Sequence, residues 1–130
     1  MNTGNTFRKY ERLTNRNSIE QLFEKGTSFT CRPVRVIYQI SDPSPFTRVK
    51  VLITVPRKNV RSAVGRNRIK RLIKEAYRLN KHILSEHLRQ SCYLLNLALI
   101  YTGDSDSLKL KDIEIPVKKI ILKLTDSISV

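Results

Sequence analysis

The chain has 130 residues, about 40% of them apolar, and sets 25 Lys and Arg against 11 Asp and Glu, giving a formal charge of +14 and a pI near 10.2. That length holds one domain with a modest core, and that apolar content excludes a wholly disordered chain. So positive a field favours a polyanion or an anionic surface as partner and decides nothing about fold.

The N-terminal stretch MNTGNTFRKYERL has no apolar h-region, so no signal peptide is expected. The most apolar run, YLLNLALIY at 93–101, is half of what a bilayer span needs. The two cysteines, Cys31 and Cys92, could pair, but reduced, partly buried thiols in a cytoplasmic chain are the expected state.

Residues 1–15 are polar and basic, with only Phe7, Tyr10 and Leu13 to pack, and read as a loosely held arm before one domain over 16–130. NSIEQLFEKG reads as a short helix. Ser18 caps it, Gln21 stands three residues on, and Gly26 ends it. Ile19, Leu22 and Phe23 share one face.

CRPVRVIYQI alternates as a strand, with Val34, Val36, Tyr38 and Ile40 on one side and Arg35, Ile37 and Gln39 on the other. SDPSPF is a turn by composition, and RVKVLITVP is a second strand stopped by Pro56. A long helix is expected from about Val64 to Lys81, then a central strand CYLLNLALIY, a turn TGDSDS, and a last helix starting at or after Pro116. The order helix, two or three strands, helix, strand, helix predicts a single-domain, two-layer α+β sandwich with one sheet.

The long helix carries the charge. With Ile69 at the centre of a helical stripe, Gly65, Leu72, Ile73 and Ala76 face the core, while Asn67, Arg71, Lys74 and Arg78 face away. Lys70 and Lys81 border one side and Arg68 the other. Residues 57–81 hold ten basic side chains and one acid, Glu75, so they supply +9 of the +14. Six like-charged pairs at i, i+3 or i, i+4 cost this helix about 1–3 kcal/mol.

A helix built only for solubility alternates its signs. The concentration therefore points to a polyanion rather than a merely solvated face. A membrane surface is disfavoured because the helix lacks large exposed apolar residues.

TVPRKNVRSAVGRNRIKRLIKEAYR, residues 54–78, resembles the bacterial ribonuclease P protein subunit, whose RNR-x-KR core stands here as Arg66, Asn67, Arg68, Lys70 and Arg71. The likeness extends upstream through RLTNRNSIEQLFEKG and the strand pair and covers roughly residues 7–101. It implies a left-handed βαβ crossover containing the charged helix. It also implies a protein that binds the catalytic RNA and precursor tRNA in an endoribonuclease that removes the 5′ leader, with the RNA performing the hydrolysis and holding most of the Mg²⁺.

On that resemblance Arg66, Asn67, Arg68, Lys70 and Arg71 contact the RNA near the active centre. Arg57, Lys58 and Arg61 belong to the same surface, extended by Lys74 and Arg78. Arginine forks and an amide suit phosphates and 2′-hydroxyls. The family also has a cleft for the single-stranded leader, to which Phe23 and Tyr38 are assigned as stacking platforms.

Three departures stand out: Ile19 where an aromatic is usual, Lys74 where many members have Arg, and ALIYTGDS in place of a basic-proline element. No protein catalytic site and no metal set emerges, since His82 and His87 are wrongly spaced for a helical metal pair and Asp104 and Asp106 read as a solvated turn. The alternative function is a non-enzymatic RNA-binding module, such as a ribosomal or assembly protein.

Overall fold

The fold is given by a computed structural model that describes residues 11–43, 49–88 and 93–128. In chain order the elements are α1 (Arg16–Lys25), β1 (Thr27–Cys31), β2 (Val34–Pro43), β3 (Val49–Thr54), α2 (Ala63–His87), β4 (Tyr93–Tyr101) and α3 (Leu110–Ser127). The sheet order is β1-β2-β4-β3. β2 lies antiparallel to both β1 and β4, whereas β3 runs parallel to β4, from Val49 opposite Leu95 to Thr54 opposite Ile100. A parallel pair requires a crossover, and α2 is that crossover.

Strand alternation divides the sheet into two faces. Val34 and Val36 of β2, Val51 of β3, and Leu95, Leu97 and Leu99 of β4 form the main core with α2 and α3. Ile69, Ile73 and Leu84 from α2 and Ile113, Val117 and Ile120 from α3 are fully buried in it. The reverse face carries a smaller cluster of Leu13, Leu22, Ile37 and Ala98, closed by α1. The expected α+β class is observed: a two-layer core, with α1 adding a short cover behind the sheet.

Several expectations change in detail. Asn15, not Ser18, caps α1: its side chain accepts from the Ser18 N–H at 3.0 Å. Gly26 ends the helix with φ −71°, so a left-handed turn is not what demands glycine. Space demands it, because a Cβ there would lie 2.4 Å from the Leu22 carbonyl oxygen and 2.6 Å from an Ile37 methyl.

TSFTC forms the edge strand β1, so three strands precede α2. Ser41–Pro43 of the expected turn extend β2, and the remainder lies outside the described residues, as do Phe7, Tyr10 and Cys92. Cys31 is a half-buried free thiol.

Helix α3 begins at Leu110, six residues before Pro116. The proline is buried, and the carbonyl it leaves without its helical donor belongs to Asp112, on an exposed stretch that water can satisfy. The backbone N–H of Lys109 donates to the Asp112 carboxylate at 2.9 Å, which fixes the earlier start.

Helix α2 runs further than expected, past Lys81 to His87, and its second half buries Tyr77, Asn80, Lys81 and Leu84. Lys81 is no border residue. Its ammonium donates to both carboxylate oxygens of Glu11, at 2.9 and 2.8 Å, with only 7% and 14% of the two side chains exposed. Burial, and secondly the Glu11 charge, push the Tyr77 hydroxyl well above its ordinary range.

Glu11 through Leu13 are therefore tied down: the Leu13 N–H donates to the Val51 carbonyl at 2.9 Å and Arg12 bridges parallel to Val51. That part of the expected arm is an extra edge on β3. Lys81→Ala leaves the Glu11 carboxylate buried without its ammonium and should destabilise the fold by about 3–5 kcal/mol. Chemical denaturation measures this, and the doubly apolar variant Glu11→Leu/Lys81→Met should recover most of the loss. Leu72 is only half-buried, so the full cavity penalty of about 2–5 kcal/mol belongs to Ile69→Ala and not to Leu72→Ala.

Candidate nucleic-acid interface

The segment entering α2 turns at Pro56, where the Asn59 and Val60 N–H groups donate back to the Pro56 carbonyl at 3.0 and 3.2 Å. Arg57, Lys58 and Arg61 are exposed on this approach. Ser62 caps the helix, its hydroxyl accepting from the Gly65 N–H at 3.1 Å.

The basic residues of the helix then divide by occupation. The Arg66 guanidinium donates to the carbonyls of Val60 and Arg61, at 3.1 and 2.6 Å. That of Arg68 donates to the carbonyls of Asp106 and Leu108. Each commits part of a five-donor fork to holding a loop. Arg78 grips the Glu75 carboxylate through Nε at 3.0 Å and through Nη2. This hydrogen bond, opposed by desolvation and helped by the opposite charge, holds Glu75 below the usual carboxylate range. Glu75 is therefore ionised at neutral pH, and the pair loosens only as pH falls through that lowered value.

Asn67, Lys70, Arg71 and Lys74 do something different. They form one wall of a groove of about 410 Å³ whose other sides are Arg12, Leu13 and Thr14 of the docked arm and Val51, Leu52 and Ile53 of β3. Asn67, Lys70 and Arg71 are exposed. The structure thus brings four of the expected residues to one concavity, turns Arg66, Arg68 and Arg78 partly inward, and leaves Arg57, Lys58 and Arg61 on the flank. Arg12 was missed because its approach depends on arm pairing that has no local signal.

Behind the α2 N-terminus the TGDSDS loop is strapped down through its backbone carbonyls, while Asp104 and Asp106 stay exposed as expected. Asn59 donates to the Gly103 carbonyl at 3.1 Å, Tyr101 donates to that of Ser105 at 2.6 Å, and Arg68 holds the two carbonyls already named. A Cβ on Gly65 would meet the Asp106 carboxylate at 2.6 Å and Val60 at 2.9 Å, so the bare glycine lets an acid lie against the first turn of the basic helix.

The pairing of Phe23 with Tyr38 does not hold. Ile37 faces α1 and packs with Leu22, so its neighbour Tyr38 points to the opposite face. There it meets Phe29 edge-on at 6.3 Å between ring centres and packs on the main core. Phe23 is 46% exposed on α1. The two rings cannot share a cleft.

A model of the family described as Ribonuclease P matches residues 7–124. The chain belongs to the ribonuclease P protein family. It is 38% identical over 96 residues to the ribonuclease P protein component of Porphyromonas gingivalis, covering 74% of this chain and 70% of that one. It is 31% identical over 120 residues to that of Clostridioides difficile, covering 92% and 96%.

The fold is similar to that of the RNase P protein from Thermotoga maritima, with TM-score 0.65, 20% identity and coverage of 92% and 99%. A Staphylococcus aureus RNase P protein mutant gives TM-score 0.68 at 20% identity, with coverage of 91% and 90%. Family membership makes the chain a protein component of a tRNA-processing ribonucleoprotein, with RNA as its partner. No helix among the described residues is long and apolar enough to cross a membrane.

For a ribonuclease P protein the division of the RNR residues carries a consequence. Removing Arg68 orphans two loop carbonyls, so Arg68→Ala should lower stability by about 1–3 kcal/mol, seen as a drop in Tm. Arg71→Ala, on the exposed wall, should leave Tm nearly unchanged, within about 0.5 kcal/mol, while weakening RNA binding and flattening its salt dependence. Equal effects of the two substitutions on Tm would show that the loop strap is not what Arg68 holds.

Proposed function

We propose that this chain assembles with the ribonuclease P RNA and with precursor tRNA, and that the RNA makes the cut that removes the 5′ leader. The observation that carries the proposal is the convergence of Asn67, Lys70, Arg71 and Lys74 with Arg12 on one groove, within a segment that holds most of the chain's excess charge. Cations packed this closely on one helix repel one another, and phosphates entering between them remove that repulsion.

The described residues do not suit a resident metal: no three His, Cys, Asp or Glu side chains among them come together to hold one. His87 instead bonds the Ile128 carbonyl at 2.7 Å. In the reading proposed here the RNA holds the Mg²⁺, and the part of the protein is to bind, orient and screen. Arg57, Lys58 and Arg61 extend the phosphate-binding surface from the flank, and the remaining donors of Arg66, Arg68 and Arg78 line its rim. A cytoplasmic setting, where precursor tRNA is made, goes with this reading.

Phe23, alone of the two aromatics, stays available for the leader. Its ring projects from the face of α1 next to Leu22 and can stack on a base without regard to sequence. The half-buried Ile19 lies one turn earlier and offers apolar contact without a second platform.

Mixing the chain with ribonuclease P RNA and a precursor tRNA and mapping the cut tests the function. Cleavage at the mature 5′ end, at lower Mg²⁺ with protein than without, is expected. Co-purification with ribosomal RNA in place of ribonuclease P RNA would favour the assembly-protein alternative, and cleavage by the protein alone would overturn the assignment of catalysis to RNA. Phe23→Ala should weaken binding of precursor tRNA by roughly fivefold or more, in line with about 1–3 kcal/mol per stacked base, and leave mature tRNA unaffected. Binding titrations of the two RNAs measure it.

A further inference from the structure

Residues 1–19 hold the basic side chains Arg8, Lys9, Arg12 and Arg16 and a single acid, Glu11. A carboxylate next to Arg12 works against phosphate binding unless its charge is satisfied elsewhere. Here it is satisfied by Lys81, in the buried pair that joins the arm to α2.

That pair sits at a junction. Glu11 precedes Arg12, which lines the groove from the arm. Lys81 follows Lys74, which lines the opposite wall, by two turns along the same stripe of α2. Neither Glu11 nor Lys81 lines the groove itself, so the pair ties its two walls together just beyond one end.

Arg12 is held on both flanks. After it, the Leu13 side chain is buried in the reverse-face cluster and the Leu13 N–H donates to the Val51 carbonyl. Before it, the anchor is the Glu11 carboxylate. Segments near a chain terminus loosen where their ties are lost, and this tie is adjacent to Arg12.

Stability alone does not account for charge at this place. A buried ion pair is often no more stabilising than an apolar pair of similar volume, and its best-attested use is to fix register. Apolar contact is non-directional, whereas a carboxylate gripped through both oxygens sets a distance and an orientation.

Resting on the RNA reading above, we infer that Glu11 and Lys81 are positioning residues for RNA recognition: their pair sets the register in which the arm docks and so carries Arg12 to the groove opposite Lys70, Arg71 and Lys74. Neither touches RNA, and both act through Arg12. The groove is then a grip with cations on two sides, one of which depends on a contact between residues seventy positions apart.

The test is a double-mutant cycle read by binding to ribonuclease P RNA across a salt series. Glu11→Leu/Lys81→Met removes one charge of each sign, so the net charge stays at +14 and long-range attraction to RNA is unchanged. Arg12→Ala should weaken binding by the native protein and flatten its salt slope by about one, the loss of one phosphate contact. The apolar double variant should show the same loss and the same flattening, and adding Arg12→Ala to it should cost nothing more. Lys81→Arg, which keeps a cation on Glu11, should bind as the native protein does. In the unbound double variant, hydrogen exchange at the Leu13 amide should quicken while that at Ile69 stays slow.

Full-strength binding by the double variant, or an Arg12→Ala effect of equal size in both backgrounds, would overturn the proposal and leave the pair a structural contact only. Should the double variant not fold, Glu11→Gln carries the same cycle, since it keeps the side-chain shape and an acceptor for Lys81. Its added positive charge by itself tightens RNA binding, so weaker binding still reports on the arm. Preference for ribonuclease P RNA without coupling between the pair and Arg12 removes this proposal alone. Preference for ribosomal RNA removes the ribonuclease P reading, and the same cycle on that RNA then decides whether the pair positions Arg12.

Discussion

Two parallel neighbours in a sheet cannot be joined by a tight turn, and that constraint places everything else in this molecule. β3 and β4 pair in parallel, so the chain between them must leave one end of the sheet and return to the other. Helix α2 makes the return journey. Its apolar stripe is bound to the sheet through Ile69, Ile73 and Ala76, and its basic side is left to look past β3, the last strand on that side. The docked arm then pairs with the outer edge of β3, which turns a bare edge into one side of a groove. The interface is thus a by-product of connectivity, shaped by a crossover and an edge.

The crowding of like charge on α2 is made tolerable in two ways. Some cations are neutralised inside the chain: Arg78 by Glu75, three residues before it, and Lys81 by Glu11, seventy residues away. Others act as fasteners, Arg66 and Arg68 giving guanidinium donors to loop carbonyls that would otherwise need water. Lys70 and Arg71 stay exposed on the groove wall.

How much of this could be read from the sequence follows from the range of each interaction. The core stripe of α2 was legible because periodicity is local, and so were the strands β2, β3 and β4. The buried end of α2 was not: Lys81 looks like a solvent residue until Glu11 is brought to it, and no pattern announces that meeting. Edge strand β1 was missed because TSFTC is short and polar. Pro116 suggested a helix boundary, yet a proline at the seventh position of α3 is accommodated where the abandoned carbonyl reaches water.

The alternation along β2 was read correctly, with Tyr38 beside Val34 and Val36. Which face would receive α1 was not in the alternation. It was decided by Leu22 meeting Ile37, and that choice put Tyr38 on the face opposite α1 and Phe23. In the same way Lys70, Arg71 and Lys74 were found from charge and Asn67 from its place in the RNR-x-KR resemblance, while Arg12 and Thr14 required the arm to be seen in place.

The bare α-carbon at Gly65 has a consequence for how the chain reaches its native state. Helix α2 has no acid in its first turn, so as an isolated segment it offers nothing negative to its own amino end. The missing anion arrives from Asp106, forty-one residues later, once β4 has been laid beside its neighbours. A helix that must borrow its counter-charge from a distant loop gains full stability late and together with the sheet. Its cationic ridge therefore becomes a rigid, correctly spaced surface only in a chain that has already finished folding.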